Sequence, residues 1–265
     1  MKNFLLLTKR FCIRFAFVRP FENGIIVREH ICCFLSEFLG TGMLLFFGCM
    51  GCVYYEVNKY NQWLPALNFG LVVLIVVQCF GCCSGAHLNP VITIAAWIYN
   101  MLTAFAASLY ILAQFAGAYC GYALLRLLLP SSLCTPNLCM TTLRVDVTIW
   151  QAVGIEFCTT VALVWVTCGI WDPRNVRMQD SAAIRIGLTV SALALAAGPL
   201  TGASMNPARS LAPAIWHNSY DDHWIYWLSP IMAGIFAASF YRVVFRREVG
   251  SADISNPKLE VIQIP

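Results

Sequence analysis

The chain has 265 residues, 59% of them hydrophobic and only 11% charged, with a formal net charge of +4. Ordinary soluble domains carry roughly 25% charged residues, so this composition excludes a water-soluble globule and indicates a polytopic membrane protein. No His/Cys/Asp cluster has metal-ligand spacing and no nucleophile lies near a plausible base, so neither an enzyme nor a metal, cofactor or nucleic-acid binder is expected. Most of the 13 cysteines sit in apolar runs (Cys49, Cys52, Cys79, Cys158, Cys168), where Cys acts as a small buried hydrophobe. Only Cys134 and Cys139 share an evidently polar loop, and whether they are bridged stays open.

Taken in chain order, residues 1–30 read as a basic N-terminal tail; the apolar patch from Phe4 to Leu7 is too short for a secretory signal. Apolar windows near the roughly 20 residues needed to cross a hydrocarbon core fall at 34–55, 64–83, 104–126, 149–171, 183–200 and 224–245. Two shorter apolar segments, 89–99 and 206–216, are about half that length and read as re-entrant helices. The expected architecture is therefore an all-α membrane protein of six transmembrane helices plus two re-entrant half-helices. Of the 17 lysines and arginines, all but Lys59, Arg126, Arg144 and Arg209 fall on one side when both tails are placed in the cytoplasm. The positive-inside rule favours that orientation, and Arg174, Arg177, Arg246 and Arg247 are secondary candidates for lipid headgroup contacts.

The halves resemble each other. Glu37 precedes Asn89, and Glu156 precedes Asn206, at nearly equal spacing, and "SGAHLNPV" at 84–91 parallels "TGASMNPA" at 201–208. Three spans per half is an odd number, so the halves form an inverted repeat, 31–128 and 149–246, joined by an extracellular loop, 129–148, and followed by a cytoplasmic tail, 247–265. Asn is a favoured helix N-cap and Pro is suited to the first helical position, so Asn89-Pro90-Val91 and Asn206-Pro207-Ala208 each start a helix inside the membrane. The two positive dipole ends would meet at the midplane and repel cations, while the Asn amides hold a neutral oxygen. The non-helical residues before each motif are tolerable at that depth only if they line a cavity or pack in protein. Glu37 and Glu156 would accept hydrogen bonds from those loops, in preference to relaying protons. His87 would brace its loop, with pH gating as the alternative.

The pair "HLNPV" and "NPARS", the two upstream glutamates, "AQFAGAYCG" and "WIYWLSP" resemble the aquaporin (major intrinsic protein) family over residues 30–246. The resemblance implies a homotetramer, in the plasma membrane, with one pore per subunit and a narrow filter at Phe69, Ala194, Ala203 and Arg209. Water-selective members typically carry His where this chain has Ala194, so the filter should be wider and less polar. That favours water together with glycerol and urea. Glycerol facilitators usually carry Asp after the motif arginine, here Ser210, which keeps a strictly water-selective channel open. Val91 replaces the usual Ala and adds bulk where the half-helices touch. A secondary transporter shares inverted repeats but has too few carboxylates here for ion coupling, and an adhesion protein is the remaining rival.

Overall fold

The computed structural model describes residues 23–58 and 63–247; the termini and the connection carrying Lys59 lie outside it. Most of the basic N-terminal tail (1–22) and nearly all of the C-terminal tail (248–265) therefore lie outside the described residues. Eight α-helices are described: α1 (Asn23–Asn58), α2 (Trp63–Ser84), α3 (Pro90–Ile98), α4 (Ala104–Leu128), α5 (Ile149–Trp171), α6 (Ala182–Thr201), α7 (Pro207–His217) and α8 (Ile225–Phe240). No strand occurs among the described residues. Among the described residues six segments are long and apolar enough to cross a membrane: Val27–Val53, Trp63–Ser84, Ala104–Leu128, Ile149–Trp171, Pro173–Thr201 and Ile225–Phe245. The short α3 and α7 are not among them, and they touch each other.

The helix ends follow local chemistry. Thr103 caps α4 by accepting from Ala106 N, and Thr148 with Gln151 forms a capping box at α5. Gly202, at φ 82°, ends α6; glycine adopts this left-handed backbone without a Cβ clash. Two boundaries differ from the sequence reading. Helix α1 begins at Asn23, inside the segment read as a tail, because a helix satisfies its own backbone and continues past the apolar window into Arg28 and Glu29. The fifth span is extended by a 3₁₀ stretch, Pro173–Ser181, which carries the polar connection into α6.

Packing is inside-out relative to a soluble protein. Leu71, Ile75, Leu112, Leu127, Leu188, Met232 and Phe236 face outward, whereas Glu37, Glu156, Gln114, Asn89, Asn206 and Arg209 are buried. Tight helix crossings depend on small residues. A Cβ added to Gly117 or Gly121 on α4 would strike the Phe38 or Gly42 backbone of α1, so these two helices touch main chain to main chain. The same holds where α2 crosses α6 at Gly70 and Gly187.

The cysteine reading is corrected. Cys49 is no simple buried hydrophobe: it forms a disulfide with Cys139, with the Cα atoms 5.3 Å apart. Cys134 remains a thiol, its Sγ near the Arg126 and Leu129 carbonyls. The pairing spans 90 residues, because the loop after α4 folds back over the end of α1.

Candidate functional site

The two segments before the half-helices repeat each other in backbone conformation and in their bonds to a buried glutamate. Gly85, Ala86 and Leu88 have positive φ, as do Gly202, Ala203 and Met205. Left-handed backbone at non-glycine residues costs about 1–3 kcal/mol each and persists only where the surroundings hold it. Here the glutamates do so. Glu37 accepts from Ser84 Oγ at 2.6 Å, His87 N at 2.9 Å and Leu88 N at 2.8 Å. Glu156 accepts from Thr201 Oγ1 at 2.6 Å, Ser204 N at 2.9 Å and Met205 N at 3.0 Å. Ser84 and Thr201 in turn accept from Ala86 N and Ala203 N.

Each Asn does two jobs. Asn89 Oδ1 caps α3 by accepting from Val91 N, and Asn206 Oδ1 caps α7 by accepting from Ala208 N and Arg209 N. Their amides cross to the opposite half: Asn89 Nδ2 donates to Met205 O and Asn206 Nδ2 to Leu88 O, both at 2.8 Å. The sequence reading placed both amides as donors to a solute; one N–H of each is used in this cross-brace, leaving the second. Pro90 and Pro207 occupy the first turn of their helices, where no N–H is missed.

One continuous cavity of about 1040 Å³ runs past these loops. Phe69, Ala194, Ala203, Arg209, His87, Asn89 and Asn206 all line it. Glu37 and Glu156 sit behind the loops, fully buried. Arg209 donates from Nη1 to Cys139 O at 2.7 Å, and its guanidinium carbon lies 4.9 Å from the Phe69 ring centroid. His87 Nδ1 is 3.2 Å from Thr93 Oγ1, and its ring packs against Tyr110 and Trp171. Ser210 is buried and bonded to Thr141 Oγ1 and Ser204 Oγ. Val91 is fully buried, and its bulk is received by Gly234 of α8, where an added Cβ would lie 2.5 Å from Val91 Cγ1.

Toward the face that carries Asn23 and Arg247 the cavity is lined by Tyr99, Trp171, Asp172 and Arg246. Arg246 stacks over the Tyr99 ring at 4.6 Å and donates to Tyr99 O. Asp172 accepts from Arg174 N, Nε and Nη2. Burial alone would raise the Asp172 carboxyl, but the bonds and charge from Arg174 outweigh it and hold the group below its ordinary value.

Several of these partners carry no mark in a single sequence. Cys139 acts through its backbone carbonyl, which any residue offers. Gln114 donates to Glu37 Oε2 at 2.7 Å and to Thr93 Oγ1 at 2.8 Å; its signal was a lone amide inside an apolar span. Tyr226, which donates to Thr201 O, stands in the stretch "WIYWLSP", which gave no role for its hydroxyl.

The family model described as Major intrinsic protein matches residues 28–241. The chain is 36% identical over 219 residues to the lens fiber major intrinsic protein of Lithobates pipiens, covering 82% of this chain and 83% of that protein. It is 35% identical over 207 residues to aquaporin-2 of Rattus norvegicus, covering 78% of this chain and 76% of that protein. The fold is similar to the X-ray structure of the aquaglyceroporin from Plasmodium falciparum, with a TM-score of 0.72 and 22% identity over 81% of this chain and 96% of that one.

Proposed function

Since the chain belongs to the major intrinsic protein (aquaporin) family, whose members are membrane channels and not enzymes, we propose that it conducts water together with glycerol and urea, passively and down their gradients. The observation that carries this reading is the composition of the cavity around Arg209. Phe69, Ala194 and Ala203 line the same cavity as Arg209, whose guanidinium carbon lies 4.9 Å from the Phe69 ring centroid; the three offer carbon and the guanidinium offers donors. An apolar wall facing a donor suits a solute with a carbon backbone and hydroxyls on one edge, and selectivity in such pores follows diameter and lining donors. Ions are excluded by three positive features in one lumen: Arg209 and the N-terminal ends of α3 and α7, each equivalent to roughly half a charge. The cross-bracing of Asn89 and Asn206 supports this, because it holds both helix starts against one lumen.

The same reading makes Glu37, Glu156 and His87 loop supports, places both tails in the cytoplasm of a plasma-membrane protein, and assembles four copies with one pore each in the lipid. A strictly water-selective channel is the second reading. Ser210 favours it, since its hydroxyl ties the segment after Asn206 to Thr141 and Ser204 in a compact arrangement without a carboxylate.

The test is osmotic swelling of cells expressing the full chain in a glycerol gradient and in a plain osmotic gradient, beside Ala194→His. The expected result is glycerol uptake in the parent that falls about tenfold or more in the variant, the scale of one misplaced contact in a close-fitting site, while water flow persists. Water flow without glycerol uptake in the parent would establish the second reading.

A further inference from the structure

The loop after α4 is anchored to the pore by Cys139, whose carbonyl accepts from Arg209 and whose sulfur is bonded to Cys49. Residue 139 is itself strained, with φ 63° at a non-glycine position. The loop is also held from α4, where Arg126 Nη1 donates to Thr135 O and Tyr122 OH to Leu138 O, and beyond Cys139 by the bonds of Thr141 Oγ1 to Ser210 Oγ and of Arg144 N to Leu200 O. A third cysteine sits beside the bridge. Cys52 lies three residues beyond Cys49, hence on the same face of α1. Its Sγ is 3.7 Å from Gly48 O and 3.9 Å from Cys139 Sγ, and both Cys52 and Cys139 line the cavity.

We propose that Cys49, Cys52 and Cys139 form a thiol–disulfide exchange centre that gives the loop carrying the Arg209 acceptor two alternative anchors on α1. In the exchange Cys52 loses its proton and its sulfur attacks Cys139 Sγ. The Cys52–Cys139 bond forms as the Cys49–Cys139 bond breaks, and Cys49 leaves with the bonding pair and takes up a proton. One disulfide and one thiol are present before and after, so no oxidant or reductant is consumed. The anchor moves three residues along α1, about 4.5 Å at the helical rise, away from the end that carries Asn23. The carbonyl that holds Arg209 belongs to the residue that is pulled, so the two connectivities hold the guanidinium differently against Phe69. The centre thereby sets the opening of the filter; this last step rests on the filter reading of Arg209 given above.

The experiment uses the full chain in proteoliposomes. After a trace of a small monothiol at mildly alkaline pH, remaining thiols are alkylated and the positions read by mass spectrometry. In parallel, Cys49→Ser is oxidised in air and its glycerol and water permeabilities are compared with the parent's. The expected map shows two populations of the parent, one alkylated at Cys52 and the other at Cys49. The variant should bridge Cys52 to Cys139 and change the glycerol-to-water ratio by at least about threefold, within what a displaced hydrogen bond to a charged group permits. A parent in which Cys52 is fully alkylated and Cys49 fully bridged overturns the exchange, and needs no variant to fold. A variant that leaves Cys52 and Cys139 both alkylated overturns it too. A bridged variant with the parent's ratio overturns the coupling to the filter. Parent vesicles that pass neither solute would instead overturn the proposed function, while the sulfur map would still decide the exchange.

Discussion

A carboxylate removed from water is costly unless donors fill its oxygens, and Glu156 collects three of them from five consecutive residues, Thr201 to Met205. The two backbone donors, Ser204 N and Met205 N, belong to the stretch in which Ala203 and Met205 take left-handed backbone, so the strain and the carboxylate sustain each other. Glu156→Gln keeps the shape but turns one acceptor into an NH₂ facing an N–H, leaving a buried donor unsatisfied. The expected loss is about 2–4 kcal/mol, read as a thermal midpoint several degrees lower in detergent; a midpoint equal to the parent's would show that the carboxylate does not hold the loop. At this scale the sequence showed that an acid lay in each half at matching distance from an Asn-Pro pair. It did not show Cys139, because a backbone carbonyl is the same in every residue. Nor did it show the Cys49–Cys139 pairing, which depends on a 129–148 loop whose path no local pattern dictates.

Elements were more legible than their contacts. The half-helices were visible because Asn and Pro are start signals in the middle of apolar sequence, where a start is otherwise unexplained. Observed α3 and α7 begin at the two prolines. The beginning of α1 was not visible, since apolarity marks the membrane and not the helix. The packing partner of Val91 was not visible either: its side chain lies against Gly234 of α8. That contact is testable as a pair. Gly234→Ala alone should cost about 1–3 kcal/mol through overpacking. Combining it with Val91→Ala should recover most of that loss, because the methyl added on α8 enters space vacated on α3. Thermal midpoints of the parent, both single variants and the double variant form the cycle. Strict additivity would separate the two residues and refute the fit.

Across the whole molecule the inverted halves are fastened at both faces by different chemistry. At one face the 129–148 loop ties α1, α6 and α7 together through the Cys49–Cys139 bridge, the bond from Arg144 N to Leu200 O and that between Thr141 and Ser210. At the other face the fastening is built from arginines, which donate to neutral oxygens and in one case pair with a carboxylate. Arg242 donates to Ile98 O and Asn100 Oδ1, Arg246 to Tyr99 O, and Arg174 bridges Asp172 to Phe245 O. The sequence presented these arginines as orientation signals, and the structure adds that they close the end of the second half over the end of α3. Asp172 makes the second fastening pH-dependent. Its folded-state carboxyl lies below the ordinary value, which is about 3.9. Its contribution is therefore complete above that value and is lost as pH falls through the lowered one. Asp172→Asn should lower the thermal midpoint by an amount that stays constant from pH 8 to roughly pH 5 and narrows below about pH 4, where the parent's carboxylate also takes up its proton. A gap that instead widened toward acid would mean that Asp172 is protonated in the folded chain at neutral pH, and that Arg174 holds Phe245 without it.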